Sequence, residues 1–576
     1  MIDFKKDIAE IISGHISDLD IDEIQDMIEV PQDGNMGDYA FPCFRLAKVL
    51  RKNPQEIAKD LAEKIGGADI FVKVEQVNAY VNMFVSKDLL DKDTISTIIS
   101  EGENYGRSDL GKDKTVIVEY SSPNIAKPFH IGHIRSTVIG NSIYKIYDAL
   151  GYKTVRINHL GDYGTQFGKM ICAYRLWGNK EDVEREPIKT LLDYYTKFHV
   201  EAEKDPGLED QAREIFAKLE KGEPEEMELW QWFRDESLKE FSRVYDMLGI
   251  EFDSYAGESF YSDKMPRHEK ELTDSGVLQD SRGAKIVDLE DKGLGVAVIK
   301  KSDGSSIYIT RDIAAAIYRK ETYDFYKNIY VVAAQQSLHF QQLFEILRMM
   351  GYEECADGCV HVPFGLVRLE EGTMSTRHGR VVFLEDVLNG AVEKTKAIIQ
   401  EKNPDAENVD EIAKEVGIGA VVFNELSNNR IKDYVFSWDQ VLNFDGETGP
   451  YVQYTHARCC SLLRRAGEDV SAKAKALGES GEINTEYLSG DAAHSLVKLI
   501  YAYPDVIKQA AERYEPSLIA RHIVDIAQAF NRFYHDEHII TENEEEKLTK
   551  LALVDATRIV VSNGLGLLGV SSPERM

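Results

Sequence analysis

The 576-residue sequence is short of cysteine, and this shortage excludes the disulfide-rich class of secreted proteins. Its six cysteines are too few and too scattered for a disulfide framework, so we expect reduced thiols in a cytoplasmic protein. Cys355 and Cys359 with His361 could be taken for part of a zinc site. No second Cys/His pair follows at zinc-ribbon spacing, and we expect no metal site in the protein itself.

Long hydrophobic runs are also missing from the sequence. The longest apolar stretches, such as "ALVDATRIVV" and "IYVVAA", are interrupted by charge or end well short of the roughly 20 residues of a membrane span. The first twenty residues, "MIDFKKDIAEIISGHISDLD", carry acids throughout and fit neither a secretory signal nor a transit peptide. We therefore predict no membrane partner.

Positive charge is scarce relative to negative charge. The chain has 68 Lys and Arg residues against 99 Asp and Glu residues, which gives a net charge of −31. Because neutralisation of phosphates drives nucleic-acid binding, this balance argues against an RNA partner, although an acidic enzyme can still carry a local basic groove. A hydrophobic content of 43% is typical of globular domains, and the length predicts two to four of them.

Changes in residue pattern along the chain predict four parts. Residues 1–110 combine amphipathic helical patterns with two alternating, strand-like runs. Residues 111–390 alternate strands and helices as a Rossmann-like parallel sheet does, with a helical insertion at about 170–250. Residues 391–450 read as a connecting helical stem, and 451–576 as an all-helical bundle. The predicted fold class is multidomain α/β, with a parallel-sheet core, an N-terminal α+β domain and a C-terminal all-α domain.

The stretch "SSPNIAKPFHIGHIRS", residues 121–136, lies between the strand-like run "KTVIVEY" and a helical pattern. Ligands of parallel α/β sheets bind at this position, where the N–H groups of the helix terminus attract phosphate. His130 and His133 face the same side of the first turn, and Gly132 lets a planar ring approach the backbone. With Lys127, these residues predict a nucleotide site. The alternative, two core histidines without a function, fits the strand–loop–helix setting less well.

The segment His130-Ile131-Gly132-His133 is similar to the HIGH signature of class I aminoacyl-tRNA synthetases. The longer string "VEYSSPNIAKPFHIGHIRSTVIGNSI" resembles the version found in arginyl-tRNA synthetases. Other stretches that resemble this family are "NHLGDYGTQFGK", "YITRDIAAA", "QQSLHFQQLFEIL", "HVPFGLV" and the terminal "PERM". Tyr163 stands where the family often has tryptophan. The resemblance covers nearly the whole chain.

This resemblance implies a ligase that acts in protein translation. Such an enzyme activates L-arginine with ATP to arginyl-adenylate and pyrophosphate, and then transfers arginine to the 3'-terminal ribose of tRNA(Arg). The resemblance also implies Mg²⁺ bound to the ATP phosphates, a monomer, and activation that depends on tRNA. Two alternatives stay open: a non-catalytic tRNA-binding paralogue, and a nucleotidyltransferase with a HIGH-type site.

The second class I signature is a KMSKS loop that binds the triphosphate. The matching stretch here, Thr373–Gly379, lacks both lysines, and a surface loop without a function is the alternative interpretation. The resemblance implies that Lys127 supplies the missing charge, helped by Arg377, and that His130 and His133 are catalytic. The full set of ATP-binding residues that it implies is His130, Gly132, His133, Met374, Ser375, Thr376 and Arg377.

Selection of arginine requires a carboxylate that can meet the planar guanidinium. Asp312 follows a strand-like run and is predicted near a helix start, with Tyr308 one turn before it. Taken alone, Asp312 could equally be an acid that stabilises a helix N-terminus. The resemblance implies that Glu258 is a second acid at the guanidinium. It also implies that Tyr308 and Asp312 contact the arginine substrate together with Glu119, Ser122, Asn124, His130 and Gln336.

The resemblance implies an anticodon-binding function for residues 451–576 and a contact with the tRNA elbow for residues 1–110. Tyr534 could stack on an unpaired base, although a core position is equally compatible with its helical spacing. Met576 matches a family position near the anticodon. Asn82, in "AYVNMFV", matches the segment at the tRNA elbow, and an ordinary strand residue is the alternative.

Overall fold

The computed structural model describes residues 2–16, 18–31, 33–301, 308–369, 382–402, 404, 407–444 and 446–576. They form two compact units. Unit 1 comprises Met1–Tyr105, Arg458–Tyr503 and Asp525–Asn563, and unit 2 comprises Gly106–Ala457, Pro504–Val524 and Gly564–Met576. No helix in the described part of the chain is long and apolar enough to cross a membrane.

The described strands form four sheets. Their bounds are β1 (Tyr39–Pro42), β2 (Phe71–Val77), β3 (Tyr80–Val85), β4 (Thr115–Glu119), β5 (Lys153–Ile157), β6 (Gln279–Ser281), β7 (Ala284–Leu289), β8 (Gly295–Lys300), β9 (Phe325–Ala333), β10 (Cys359–Phe364), β11 (Val367–Leu369) and β12 (Tyr434–Phe436). The sheet orders are β1-β3-β2, β10-β9-β4-β5, β6-β7-β8 and β11-β12.

Helices cover most of the remaining described chain. Their bounds are α1 (Phe4–Ser13), α2 (Ile21–Met27), α3 (Phe44–Leu50), α4 (Pro54–Ile65), α5 (Lys87–Glu101), α6 (Ile134–Ala149), α7 (Thr165–Trp177), α8 (Lys180–Arg185), α9 (Pro187–Ala202), α10 (Gly207–Glu220), α11 (Pro224–Leu248), α12 (Met265–Asp274), α13 (Tyr308–Tyr323), α14 (Ser337–Met349), α15 (Glu353–Gly358), α16 (Leu384–Lys402), α17 (Val409–Ser427), α18 (Trp438–Val441), α19 (Gly449–Ala466), α20 (Glu468–Ser480), α21 (Asp491–Arg513), α22 (Ser517–Asp536) and α23 (Glu544–Leu567).

The central sheet of unit 2 is parallel throughout, in the order β10-β9-β4-β5. Val116, Ile117 and Val118 of β4 are fully buried, as expected for a strand covered on both faces. Helix α6 connects β4 to β5 as the crossover of the predicted β-α-β unit. With the antiparallel sheet β1-β3-β2 and the helices α19–α23, this sheet confirms the predicted fold class.

Helix α6 packs unusually close to the end of β4. A Cβ atom on Gly140 would lie 2.1 Å from Cβ of Tyr120, so this helix position tolerates no side chain. The helix ends before Gly151, whose φ of +80° is the left-handed conformation that glycine adopts without strain. The close contact places the N-terminus of α6 directly beside the carboxyl end of the sheet.

Two features of unit 2 differ from the sequence-based interpretation. The strand-like run before Asp312 is the first turn of helix α13, because Ile309 packs into the core and the Thr310 hydroxyl donates to the carbonyl of Ile299 at 3.0 Å. Tertiary packing therefore overrides the β propensity of these branched residues. The sheet β6-β7-β8 was not predicted either, and the helices α7–α11 lie between β5 and β6 in the chain.

Candidate active site

The loop after β4 is held in an unusual backbone conformation. Ser121, Ser122 and Ala126 all have positive φ angles, of 68°, 48° and 57°. The N–H of Ser121 donates to Oγ of Ser136 on α6 at 2.9 Å, and the N–H of Ala126 donates to Oγ of Ser237 on α11 at 3.1 Å. Strained backbone that is held by its neighbours is typical of functional sites.

His130 and His133 lie together at the start of α6, with ring centroids 4.0 Å apart. The N–H of Gly132 donates to Nδ1 of His130 at 3.1 Å, and the N–H of His130 donates to Nδ1 of His133 at 3.1 Å. Nδ1 of His130 therefore accepts, which places the proton of its neutral ring on Nε2. Nδ1 of His133 also lies 3.2 Å from the carbonyl of His130, and each neutral tautomer satisfies one of its two contacts.

Burial reinforces the neutral state of this histidine pair. It lowers the pKa of His130, and it lowers the pKa of His133 to about 3, where the neighbouring His130 and Lys127 act in the same direction. Both histidines thus stay neutral at physiological pH.

The first turn of α6 is fixed to the end of α17 by a buried ion pair. Nε of Arg135 lies 2.6 Å from Oε1 of Glu425, and both side chains are fully buried. Nη1 of Arg135 donates to the carbonyl of Lys432 at 2.7 Å, and the guanidinium covers the ring of Tyr434 in β12. Strand β12 pairs with β11. The contacts of Arg135 therefore connect this two-stranded sheet to the HIGH turn, the name used below for His130–His133.

The HIGH turn also pairs with the segment that precedes α16. The N–H of Ile131 donates to the carbonyl of Val382 at 3.0 Å, and the N–H of Leu384 donates to the carbonyl of Phe129 at 2.9 Å. The chain from 370 to 381 lies outside the described residues, and it contains the predicted ATP-binding positions Met374, Ser375, Thr376 and Arg377.

Glu119 ends β4 and forms a short, buried ion pair with Arg319. Its Oε2 lies 2.6 Å from Nη1 of Arg319, and the Glu119 side chain is only 7% exposed. The guanidinium of Arg319 lies between the rings of Tyr261 and Tyr330, at 5.9 and 5.5 Å from their centroids. The ion pair fixes the position of the Glu119 carboxylate at the end of β4.

Glu258 is presented by a short 3-10 turn that Asp162 holds in place. Both carboxylate oxygens of Asp162 accept hydrogen bonds at 2.8 Å from the N–H and the hydroxyl of Ser259, and Asp162 is fully buried. The N–H of Glu258 donates to the carbonyl of Leu160 at 2.9 Å. The turn is thereby attached to the loop that follows β5.

Glu258 and Asp312 have different partners in the region around the carboxyl ends of β4, β5 and β9, which is called the cleft below. Oε2 of Glu258 lies 3.7 Å from Nη1 of Arg311, and it has no hydrogen-bond partner among the described residues. Oδ2 of Asp312 lies 2.6 Å from Nε2 of His339 on α14. Burial raises the pKa of Glu258 to about 8, although Arg311 opposes this rise.

The remaining predicted residues of the cleft also occupy its edges. Ser122 is half-buried next to the end of β4, and Asn124 forms an isolated bridge with Gly161 in the loop after β5. Gln336 is exposed just after β9. Tyr308, at the start of α13, is largely exposed. Lys127 is half-buried, close enough to His133 and Glu258 to affect the pKa of both. The structure therefore brings the described predicted residues to the carboxyl ends of β4, β5 and β9.

The three predicted tRNA contacts have different surroundings. Tyr534 is 37% exposed, and the guanidinium of Arg458 lies over its ring at 4.9 Å. Met576 is half-buried at the end of the chain. Asn82 is only 2% exposed in the middle strand of β1-β3-β2, so in this conformation it is a core residue of its sheet.

Several residues of the cleft were missed by the sequence interpretation. Asp162 lies inside the stretch "NHLGDYGTQFGK" and Arg311 immediately precedes Asp312, so both were close to a visible motif. The pairing of Arg319 with Glu119 and of Arg135 with Glu425 joins residues 200 or more positions apart, and no local pattern indicates it. The part of the chain that the structure describes contains no cluster of three or more His, Cys, Asp or Glu side chains arranged to hold a metal.

Three segments of the chain match known families. Residues 94–438 match the family described as tRNA synthetases class I (R), catalytic domain. Residues 452–576 match the DALR anticodon binding domain, and residues 4–85 match the arginyl tRNA synthetase N terminal domain.

Individual relatives agree with this assignment. The chain is 58% identical to an arginine--tRNA ligase of Clostridioides difficile (strain 630), over 100% of both chains. It is 55% identical to an arginine--tRNA ligase of Halothermothrix orenii, again over 100% of both. Its fold is similar to that of Thermus thermophilus arginyl-tRNA synthetase, with a TM-score of 0.82, 24% identity and complete coverage of both chains.

Proposed function

The chain belongs to the class I arginyl-tRNA synthetases, and from this premise we propose which of its residues bind ATP, L-arginine and tRNA(Arg). The reaction is the ligation of arginine to tRNA in protein translation. This assignment leaves the two alternatives, a non-catalytic paralogue and a nucleotidyltransferase with a HIGH-type site, without an observation in their favour.

ATP binds at the HIGH turn, with its adenine ring on Gly132 and its phosphates near His130 and His133. Nε2 of the neutral His130 ring donates and stabilises charge that develops on the phosphates. Lys127 adds a positive charge from the loop before the turn. Met374, Ser375, Thr376 and Arg377 complete the proposed ATP contacts. Mg²⁺ would enter with the nucleotide and would neutralise part of the phosphate charge.

L-Arginine lies with its guanidinium between Glu258 and Asp312, next to Tyr308. The observation that carries this proposal is the buried carboxylate oxygen of Glu258, which lacks a hydrogen-bond partner among the described residues. A guanidinium would supply the missing donors in a fork geometry that an ammonium group cannot reproduce. The proposed contacts with the rest of the amino acid, including its α-amino group, come from Glu119, Ser122, Asn124, His130 and Gln336.

Activation proceeds by in-line attack on ATP. A carboxylate oxygen of arginine forms a bond to the α-phosphorus, and the bond to pyrophosphate breaks, which leaves arginyl-adenylate. A hydroxyl of the 3'-terminal ribose of tRNA then attacks the arginyl carbonyl, and AMP leaves. The protein contributes mainly positioning and stabilisation of phosphate charge, since it forms no covalent intermediate.

We assign one role in this reaction to each of the four predicted parts of the chain. Residues 111–390 catalyse it, residues 391–450 connect, residues 451–576 bind the anticodon, and residues 1–110 bind the tRNA elbow. Tyr534 and Met576 are the proposed anticodon contacts; the buried Asn82 is not included. The enzyme acts in the cytoplasm as a monomer, and arginine activation depends on tRNA.

The test is ATP–pyrophosphate exchange with each of the twenty amino acids, with and without total tRNA. We expect exchange with arginine alone, and only when tRNA is present. A Lys127→Ala variant should lose exchange while it retains tRNA binding. Exchange with another amino acid would contradict the proposed pocket, and exchange without tRNA would contradict the coupling.

A further inference from the structure

Arg311 lies next to Glu258 but does not form a hydrogen bond with its Oε2 atom. The separation of 3.7 Å between Nη1 and Oε2 is within ion-pair range and beyond a normal hydrogen bond. At the other buried pair of the cleft, Glu119 and Arg319 approach to 2.6 Å. Glu258 therefore has a cation close by and keeps the hydrogen-bonding capacity of one oxygen for another donor.

The guanidinium of Arg311 lies over an aromatic ring. Its Cζ lies 5.0 Å from the ring centroid of Tyr163, and Tyr163 packs edge-on against Phe216 of α10 with centroids 5.6 Å apart. The helical insertion thus supports Tyr163, and Tyr163 supports Arg311. Glu220, at the end of α10, is attracted to Arg311 as well.

We infer that Arg311 is a positioning residue that determines specificity: held by Tyr163, it favours the ionised form of Glu258 and keeps this carboxylate in place for the guanidinium of the substrate. This inference rests on the proposed contact between Glu258 and arginine. A carboxyl group buried without a cation becomes protonated, and a neutral acid cannot form the bidentate ion pair that distinguishes a guanidinium.

The charges around Glu258 set the direction of a pH effect. Burial, Asp312 and Asp162 raise the pKa of Glu258 to about 8, whereas Arg311 and, more weakly, Lys127 lower it. Tyr308 also faces this carboxyl. Since the substrate binds the ionised form, the KM for arginine should fall as pH rises toward 8. Without Arg311, the KM for arginine should fall over a higher pH range.

The experiment is the KM and kcat for arginine in aminoacylation between pH 6.5 and 9, for the full-length enzyme and its variants. If neutralising Arg311 raises the pKa of Glu258 by about one pH unit, Arg311→Gln should raise KM about tenfold at pH 6.5 and about twofold at pH 9. The kcat should change little. Arg311→Lys keeps the positive charge, so its KM for arginine should be close to that of the wild type. Taking the ratio of variant to wild-type KM cancels the titration of arginine and tRNA.

Arg348→Met serves as the matched control, because Arg348 pairs with Asp357 at 2.9 Å on the same unit and outside the cleft. Its KM ratio should be one at every pH. A constant KM ratio for Arg311→Gln across the pH range, or equal effects of Gln and Lys, would overturn the inference. If Arg311→Gln does not fold, a wild-type KM that does not change between pH 6.5 and 8 would overturn it as well.

Glu258→Gln separates this inference from the proposed function. If Glu258→Gln raises the arginine KM while Arg311→Gln does not, Arg311 has no positioning role and the guanidinium pocket stands. If Glu258→Gln leaves the KM unchanged, the proposed pocket is wrong and the inference about Arg311 is lost with it.

Discussion

The two ends of the cleft treat ionisable side chains in opposite ways. At the HIGH turn (His130–His133), burial keeps His130 and His133 neutral, so the protein offers polar groups without charge. At the arginine end, each carboxylate has a cationic or donor partner. The nucleotide brings several negative charges to the HIGH turn, so neutral polar groups suit that end. The guanidinium of arginine is a cation, so the arginine end needs negative charge. The stability of the ligand-free enzyme should respond to pH with opposite signs at the two ends.

The three carboxylates at the arginine end differ in how deeply they are buried. The carboxylate side chains of Glu119, Glu258 and Asp312 are 7%, 14% and 25% exposed, and they pair with Arg319, Arg311 and His339. Solvent can replace a lost partner more easily as exposure increases. The effect of removing each partner should therefore decrease in the same order.

The largest effect is expected from Arg319→Met. This change leaves Glu119 buried beside Tyr261 and Tyr330 without its cation, which typically costs about 3–5 kcal/mol. We expect a fall of many degrees in the apparent Tm and loss of arginine activation. The double variant Glu119→Gln/Arg319→Met removes the uncompensated charge and should recover stability but not activity. A single variant as stable as the wild type would contradict the importance of this pair.

The next effect concerns acid sensitivity at the HIGH turn. The pKa of His133 is lowered to about 3, so its contribution to stability is fully present above its ordinary pKa near 6.5 and is lost as pH falls. Between pH 6.5 and pH 5 the loss amounts to about 2 kcal/mol. Denaturant unfolding at the two pH values should show a smaller drop for His133→Asn than for the wild type. Equal drops would mean that His133 is not the residue responsible.

The opposite sign is expected from Glu258→Gln. Because the pKa of Glu258 is raised to about 8, its protonated form favours folding at low pH, and this contribution is lost as pH rises. Glutamine does not ionise, so the variant does not lose this stability as pH rises. Relative to the wild type, the variant should gain roughly 1 kcal/mol between pH 6 and pH 8, since partial exposure weakens the effect. Thermal unfolding at the two pH values measures it. Added arginine should stabilise the wild type and not the variant.

The parts of this site that the sequence predicts are local in the chain. The strand–loop–helix unit around His130 and the helices α19–α23 follow from hydrophobic periodicity and from a loop of recognisable composition. The partners that control charge, Arg319 for Glu119 and Arg135 for Glu425, come from elements far along the chain. Only tertiary packing brings these ion-pair partners together. Packing also explains why the strand-like residues before Asp312 form a helical turn. Long-range ion pairs are therefore what sequence reasoning misses here.

The smallest effect is expected from His339→Leu. His339 holds Oδ2 of Asp312 at 2.6 Å, but both side chains are about one quarter exposed, so water can replace the lost hydrogen bond. A net contribution of about 1 kcal/mol corresponds to a rise of about fivefold in the arginine KM, with kcat close to the wild-type value. His339→Gln retains a donor and should restore part of the affinity. Steady-state aminoacylation at saturating ATP and tRNA measures both. If His339→Leu raised the KM at pH 6.5 more than Arg311→Gln did, effect size would not follow burial at the arginine end, and the geometry of Asp312 rather than retained charge would dominate selection.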